Sequence, residues 1–493
     1  MPNKLNHRMT AQDAAFLYLE RSHAPLHIGS LGVYEGQIPF DRFVKHIESR
    51  LPNIPRYRQR VLFVPFGIAH PTWEDDPEFD VRRQIFSTEL PAPGTFQQLK
   101  ELSVALFKQQ LDRSKPLWEM HVIHGLEGDR SAILSKVHHC MVDGVSGIEL
   151  LMAVVDITQE PAPPPEPDNW QPKPLPTTST QLSDAFWDNL ETQREMWQEI
   201  GASILDPRPR IQRSQDVARS MTNASPWMSR PAPRTPFTTQ LDEKRHVAFS
   251  DVSFPEIREI RTALGGTVND VVLAVITGAL RSYLQTRGYD VSGEEPRVAV
   301  PVNIRMEDEE GAMGNRISVM LTPLPIGEAD PAKRLEAVRG RLDNLKSENQ
   351  AGAMESFSRL ASYAPASWHA FAGSLPPNNT VVNMICTNVP GPMIPLYSIG
   401  HLLLEHYPFV PLSMDMGIGI GVTTYNQKLF FAVMANPKAV PDIQRMGHFI
   451  DESYLALRQA AGVQPSDVPE IGGHSTNGVA EHADVAAAPQ VTG

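Results

Sequence analysis

The sequence predicts an α/β protein built as two halves around a long linker. Three observations carry this. Strand-like and helix-like periodicities alternate through the first part of the chain. A proline-rich run at 158–180 interrupts them, and a second α/β pattern resumes after another proline cluster at 226–236. Each half shows the alternation expected of sheets covered by helices.

In the first half, residues 9–20 (MTAQDAAFLYLE) read as a short helix with Thr10 as N-cap. Residues 27–34 (HIGSLGVY) alternate as a strand, and residues 40–50 have helical spacing. The basic stretch 55–60 (PRYRQR) reads as a solvated turn. Residues 118–124 and 131–138 read as two strands joined at Glu127-Gly128-Asp129-Arg130, a hairpin signal. The second strand runs into a double histidine, and 147–157 (GIELLMAVVDI) follows as a buried helix. The linker TQEPAPPPEPDNWQPKPLPTTST cannot enter a helix or sheet interior and favours extended polyproline II.

Beyond the linker, Phe186, Leu190, Trp197, Ile200 and Ile204 recur at helical spacing. The plainest role for this stripe is to pack a helix on a domain. Membrane contact is the alternative, and Asp188, Glu191, Glu195 and Glu199 on the polar face suit an anionic bilayer poorly. The second half reads as a helix after Thr267, a strand at 297–303, a helix at 332–345, and strands near 381–388 and 429–435. The organisation expected is a first lobe at 1–157, a linker with a crossover helix at 158–236, a second lobe at 237–462 and a disordered, small-residue tail at 463–493.

Composition narrows the function classes. Of 493 residues, 41% are hydrophobic and 20% charged, a globular balance. The net charge of −13 argues against bulk nucleic-acid binding, while leaving room for a local basic patch that holds a phosphorylated cofactor. Two cysteines, Cys140 and Cys386, make no disulfide framework and no zinc knuckle, so a reducing compartment is the default. The opening residues show no apolar signal segment. The longest apolar run, 271–280, is too short to span a bilayer. A soluble or peripheral cytoplasmic protein is expected.

The stretch KVHHCMVDGV at 136–145 is where the chemistry concentrates. A shared metal ion is disfavoured, because neighbours on a strand point to opposite faces and His121 and His124 on the preceding strand do the same. Cys140 as a nucleophile beside His139 is also disfavoured, because immediate neighbours rarely reach hydrogen-bond geometry. No Gly-x-Ser-x-Gly elbow is present. Two readings stay open on physical grounds. One histidine at a strand end could act as general base near neutral pH, with Gly144 permitting the tight turn that brings Asp143 back. Alternatively the pair is a satisfied core pair.

HHCMVDG resembles the HHxxxDG motif of the CoA-dependent acyltransferase superfamily, which includes chloramphenicol acetyltransferase and peptide-synthetase condensation domains. More narrowly, the chain resembles the bacterial wax ester synthase/diacylglycerol acyltransferase family. The opening MTAQDAAFLYLERSHAPLHIGSLGVYEG, the PLWE at 116–119, Asn269-Asp270 in TVNDVVLAV, PVNIR with the later GNRIS, and Asn388 in NVPGP all share in the likeness. It covers residues 9–462. Two positions depart from the pattern: Gln84 stands where a histidine is expected, and Thr238 where asparagine is frequent.

The resemblance implies two chloramphenicol-acetyltransferase-like lobes with mixed sheets flanked by helices and an active-site tunnel between them. It implies His139 as general base, His138 as a positioning neighbour, and Asp143 as a structural residue that orients the loop with Gly144. Arg305 is the candidate partner of Asp143. It further implies acyl-CoA as cosubstrate with no permanently bound cofactor or metal. The acceptor would be a fatty alcohol or diacylglycerol, with peripheral contact at the inner membrane face or a lipid inclusion, and no nucleic acid. Thr267 to Asp270 is close to a capping box, so Asn269 and Asp270 could simply cap a helix; the added expectation is that this helix start, with Asn388, borders the tunnel and steadies an oxyanion. The alternating glycines 417–421 either admit a closely packed element or leave a groove for an acyl chain or CoA. Trp118 reads as a packing anchor. The competing functions are a condensation-type enzyme using a carrier-protein thioester and a non-catalytic lipid-binding relative.

Overall fold

The computed structural model describes residues 7–141, 155–160, 169–205, 231–293, 295–303, 317–347, 364–375 and 381–466. Asp143, Gly144, Arg305, most of the predicted helix at 147–157 and the distal tail lie outside the described residues.

The chain begins with helix α1 (Ala11–Leu19), whose N-cap Thr10 accepts a hydrogen bond from the Asp13 N–H. Strand β1 (His27–Glu35) leads to α2 (Phe40–Arg50). A short pair, β2 (Gln59–Leu62) and β3 (Thr72–Asp75), precedes β4 (Ile85–Glu89). Helix α3 (Phe96–Phe107) opens with a Thr95/Gln98 capping box. The expected hairpin follows as β5 (Trp118–Leu126) and β6 (Arg130–His138), turning at Gly128 and Asp129, both at positive φ. Past the linker come α4 (Thr178–Leu205), β7 (His246–Ser253), α5 (Phe254–Leu264), α6 (Val268–Thr286), β8 (Arg297–Asn303), β9 (Ile317–Pro323), α7 (Pro331–Ser347), α8 (Ala366–Ser374), β10 (Met384–Val389), β11 (Tyr397–Ser398), β12 (His401–Phe409), β13 (Ile418–Tyr425), β14 (Lys428–Ala435) and α9 (Gln444–Ala460).

Two mixed six-stranded sheets form, in the orders β11-β12-β1-β6-β5-β4 and β7-β14-β13-β10-β8-β9. In the first, β4 runs parallel to β5 and the other long pairings are antiparallel. In the second, β10 runs parallel to both β8 and β13. Helix α6 is buried on nearly every side, which is why its apolar run carries so little polar interruption. Among the described residues no single helix is long and apolar enough to cross a membrane.

The division at 237–462 does not follow the sheets. Strand β12 crosses into the first sheet and pairs with β1, Phe409 opposite Gly29 and Glu405 opposite Val33. This crossing covers what would otherwise be an open sheet edge. It also buries Tyr407 and Phe409, with Phe249 of β7 stacked on Tyr407 at 4.0 Å between ring centroids. The glycine face of β13 accommodates the chain that leaves β12. A Cβ on Gly419 would stand 3.0 Å from Val410, and one on Gly421 would stand 2.9 Å from the Pro408 carbonyl. Close packing therefore explains those two glycines.

Three further expectations need correction. The stretch 55–60 is not a solvated turn: Tyr57 and Arg58 are buried, with Arg56 over the Trp73 ring and Arg58 over Trp170. Those contacts pin the end of the proline-rich linker to the first lobe, where the Lys173 N–H also donates to Asp75 at 3.1 Å. The described members of the stripe on α4, Phe186, Leu190 and Trp197, do not pack on a domain but are exposed, and the helix seats itself instead through Ala185 against Val64 and Ala69. Finally, the tail does not loosen at 463, because Ser466 bonds to Glu256 through both its N–H and its hydroxyl.

Candidate active site

The first sheet delivers the histidine pair to the end of β6. Strands β1 and β6 are antiparallel neighbours with His27 opposite His138. The strand ends at His138, and His139 opens a short 3-10 turn, His139–Met141. The two rings are therefore separated by a change of backbone conformation and not by strand alternation. The His138 N–H donates to the Leu117 carbonyl and the His139 N–H to the Leu26 carbonyl, both at 2.9 Å.

The rings have different surroundings. His138 is buried; its Nδ1 accepts from the Cys140 N–H at 3.2 Å, and its Nε2 lies 3.4 Å from Glu20. His139 is partly exposed, and its ring stacks on Phe16 of α1 at 4.0 Å with the planes 10° apart. That contact fixes the ring plane. Burial pushes the His139 pKa down to about 4, opposed by an interaction with its own backbone. The imidazole is thus neutral at physiological pH and can accept a proton. Cys140 is buried and its thiol pKa is pushed well up by burial, which leaves it a thiol and not a nucleophile.

Beneath the pair lies a buried charged layer that no local sequence signal marks. Glu20, at the end of α1, accepts from the Leu26 N–H at 3.0 Å, from Gln110 at 2.6 Å and from Arg113 at 2.8 Å. Burial pushes its carboxyl up, but the hydrogen bonds from His138, Arg113 and Gln110 outweigh that and hold it well below the usual range. Lys136, one step back on the same face of β6, pairs with Glu119 at 2.9 Å and donates to the carbonyls of Leu106 and Gln109. The His27 Nε2 meets the Phe107 carbonyl. Carbonyls at and just past the C-terminus of α3 thus take up a buried ammonium and an imidazole. Burial lowers the His27 pKa to about 3, with Lys136 adding to the effect.

The second sheet contributes the asparagines. The capping box at α6 is present: the Thr267 hydroxyl accepts from the Asp270 N–H and the Asp270 carboxylate accepts from the Thr267 N–H. Asp270 is buried and its role is capping. Asn269, one residue earlier and partly exposed, meets Asn388 at the end of β10, whose Nδ2 donates at 3.5 Å. No hydrogen bond joins either asparagine to His139 among the described residues. The NVPGP turn after Asn388 is tied to β13, the Gly391 N–H donating to the Thr424 hydroxyl at 2.8 Å.

Two departures from the family pattern have a local use. Gln84 is buried and donates to the Pro116 carbonyl at 2.7 Å, anchoring the PLWE segment. The Thr238 hydroxyl accepts from Asn383 at 2.9 Å. Trp118 is a packing anchor, with its indole N–H donating to the Tyr57 carbonyl at 2.8 Å.

Comparison with known proteins gives the family. Residues 9–272 match the wax ester synthase/diacylglycerol acyltransferase catalytic domain, and residues 313–458 the C-terminal domain of the same family. A probable diacylglycerol O-acyltransferase of Mycobacterium tuberculosis is 31% identical over 92% of this chain and 96% of its own. A second one from that organism is 28% identical over 92% of this chain and 99% of its own. Among solved structures, the wax ester synthase/diacylglycerol acyltransferase from Marinobacter aquaeolei VT8 superimposes with a TM-score of 0.63 at 24% identity, covering 92% of this chain and 100% of that one. The starter condensation domain of rhizomide synthetase shares the fold at a TM-score of 0.57 and 13% identity, covering 92% and 94%. The chain belongs to the wax ester synthase/diacylglycerol acyltransferase family, with its HHxxxDG histidines at the end of β6.

Proposed function

We propose that the chain moves a long-chain acyl group from acyl-CoA to a fatty alcohol or diacylglycerol, with His139 as general base. The observation that carries the mechanism is the neutral, partly exposed His139 ring held against Phe16. The alcohol hydroxyl gives its proton to His139 as its oxygen attacks the thioester carbonyl. The tetrahedral oxyanion collapses, the C–S bond breaks, and the imidazolium returns the proton to the departing thiolate. The ester and free CoA result, with no acyl-enzyme and no permanently bound cofactor. Asn269 and Asn388, at the positive end of α6, are the groups proposed to steady the oxyanion across the tunnel. Asp143 and Arg305 are proposed to hold the loop. Acyl-CoA as donor accords with the condensation-domain relative of the same fold, which was solved with C8-CoA. The acceptor and product are apolar, so the reaction is placed at a membrane or lipid inclusion.

The test uses the full chain with palmitoyl-CoA and either hexadecanol or dioleoylglycerol, following CoA release with a thiol reagent. His139→Ala should lower the rate by about 10²–10⁴-fold, the usual worth of a general base, with its melting temperature unchanged. Absence of CoA release by the unaltered chain with either acceptor would overturn the proposal.

A further inference from the structure

The segment that joins α1 to β1 is short and closed on itself. Arg21 and Ala24 exchange backbone hydrogen bonds in both directions, at 3.3 and 3.0 Å. The Glu20 carboxylate spans the same loop by accepting from the Leu26 N–H. Pro25 restricts the backbone between them, and Ala24, Pro25 and Leu26 are buried. Residues 20–26 are therefore a stiff piece. At one end the Leu26 carbonyl takes the His139 N–H at 2.9 Å. The first lobe holds this piece at Glu20, through Gln110 and Arg113. The second half of the chain holds it at its corner, where the His23 carbonyl accepts from Arg245 at 2.7 Å. Arg21 also reaches out from it to the Gly373 carbonyl of α8.

We infer that Arg245 is a positioning residue for the acyl transfer: it ties the second half of the chain to the segment whose far end holds the His139 backbone, and so sets where the base stands. The effect on rate rests on His139 acting as base, as proposed above; the tie itself does not. Arg245 lies just before β7 and is buried. Its guanidinium donates to three main-chain carbonyls, those of His23, Asp242 and Lys244, and among the described residues no carboxylate accepts from it. The Asp242 carboxylate instead accepts from Asn436 at 2.8 Å and lies 3.3 Å from Lys438. Burial pushes the Arg245 pKa down to about 10, with Asp242 pulling the other way, so the group is charged at neutral pH. A buried charge without a paired acid is costly beside a neutral side chain of similar size. What it supplies here is a set of charge-assisted bonds in a fixed fork, directed across the two halves. That link matters because His139 stands on the first sheet, whereas Asn269 and Asn388 come with the second. A reacting group misplaced by about 1 Å can lose on the order of 10²-fold in rate.

The test sets Arg245→Met beside Asn436→Ser in the full chain. Asn436 is buried and donates to Asp242 and to the Lys244 carbonyl, the same node, without touching His23. Hydrogen exchange read by mass spectrometry follows the His138 and His139 amides. In Arg245→Met they should exchange about tenfold faster while the amides of β14 keep their rate. In Asn436→Ser they should not, although its melting temperature falls. With palmitoyl-CoA and hexadecanol, Arg245→Met should lower kcat at least about tenfold and leave KM within about twofold. Arg245→Lys, which keeps the charge without the fork, should fall between variant and parent. On a His139→Ala background, Arg245→Met should change the residual rate by less than about twofold, because its effect passes through the base. Unchanged exchange at His139 in Arg245→Met would overturn the inference. So would an equal kcat loss in Asn436→Ser, or the same loss with and without His139. Should Arg245→Met fail to fold, Arg245→Lys decides by the same criteria. If the parent releases no CoA, faster exchange at His139 in the variant supports the tie and counts against the acyl transfer.

Discussion

At the scale of single residues, the proposed base, His139, is held in place by several other groups. His139 is partly exposed, neutral and stacked, whereas His138 is buried and tied to Glu20. Glu20 binds the segment before β1, Gln110, Arg113 and the ring of His138 at once, so it links the two backbone segments that position His139. Glu20→Gln leaves Arg113 and His138 facing an uncharged amide in a buried site. We expect a loss of about 3 kcal/mol in urea denaturation, and a smaller combined loss than the sum when Arg113→Met is added. Unchanged stability in Glu20→Gln would show that the carboxylate holds nothing. The histidine pair was legible in the sequence because its motif is contiguous. Glu20, Gln110, Arg113 and Phe16 were not, since each lies far along the chain and looks locally like an ordinary helix end or surface residue.

At the scale of elements, local signals located most helices and strands, because caps and periodicity are written within a few residues. Helix α2 spans Phe40–Arg50, the range its spacing predicts, and Thr10, Thr95 and Thr267 all cap as their side chains permit. What the pattern missed depends on distant partners: the burial of Arg58 needs Trp170, and the exposure of Phe186 follows from α4 touching the lobe through Ala185 instead. The start of α6 separates two roles. Thr267→Ala should cost about 1 kcal/mol of stability, as lost caps do, and leave kcat alone. Asn269→Ala should lower kcat while the melting temperature stays. If Asn269→Ala shifts only the melting temperature, that residue is a helix-start residue and nothing more.

At the scale of the whole molecule, acid should loosen the fold well before its carboxylates titrate. His27, His139 and His406 are held neutral by burial, with pKa values near 3, 4 and 4. The unfolded chain takes up protons on such rings near pH 6.5, and the folded chain does so only about two units lower or more. Stability therefore falls as pH drops below 6.5, by about 1.4 kcal/mol per pH unit for each proton. Below that window, protonation of the depressed carboxylates Glu20 and Glu119 removes more. Thermal unfolding at pH 7.5, 6 and 5 checks this, and a melting temperature level from 7.5 to 5 would contradict it. The two-half organisation was visible in the proline-rich break. The passage of β12 into the first sheet was not, because pairing across so long a separation has no local signature.

That crossing makes the protein unusually suited to being cut in two. A fragment ending in the linker would keep β1 with a row of unsatisfied amides and carbonyls, and the remaining fragment would carry the missing strand as an unpaired ribbon. Each is the other's template for strand addition. Separately made fragments should then stay silent alone and regain function on mixing, as a complementation pair.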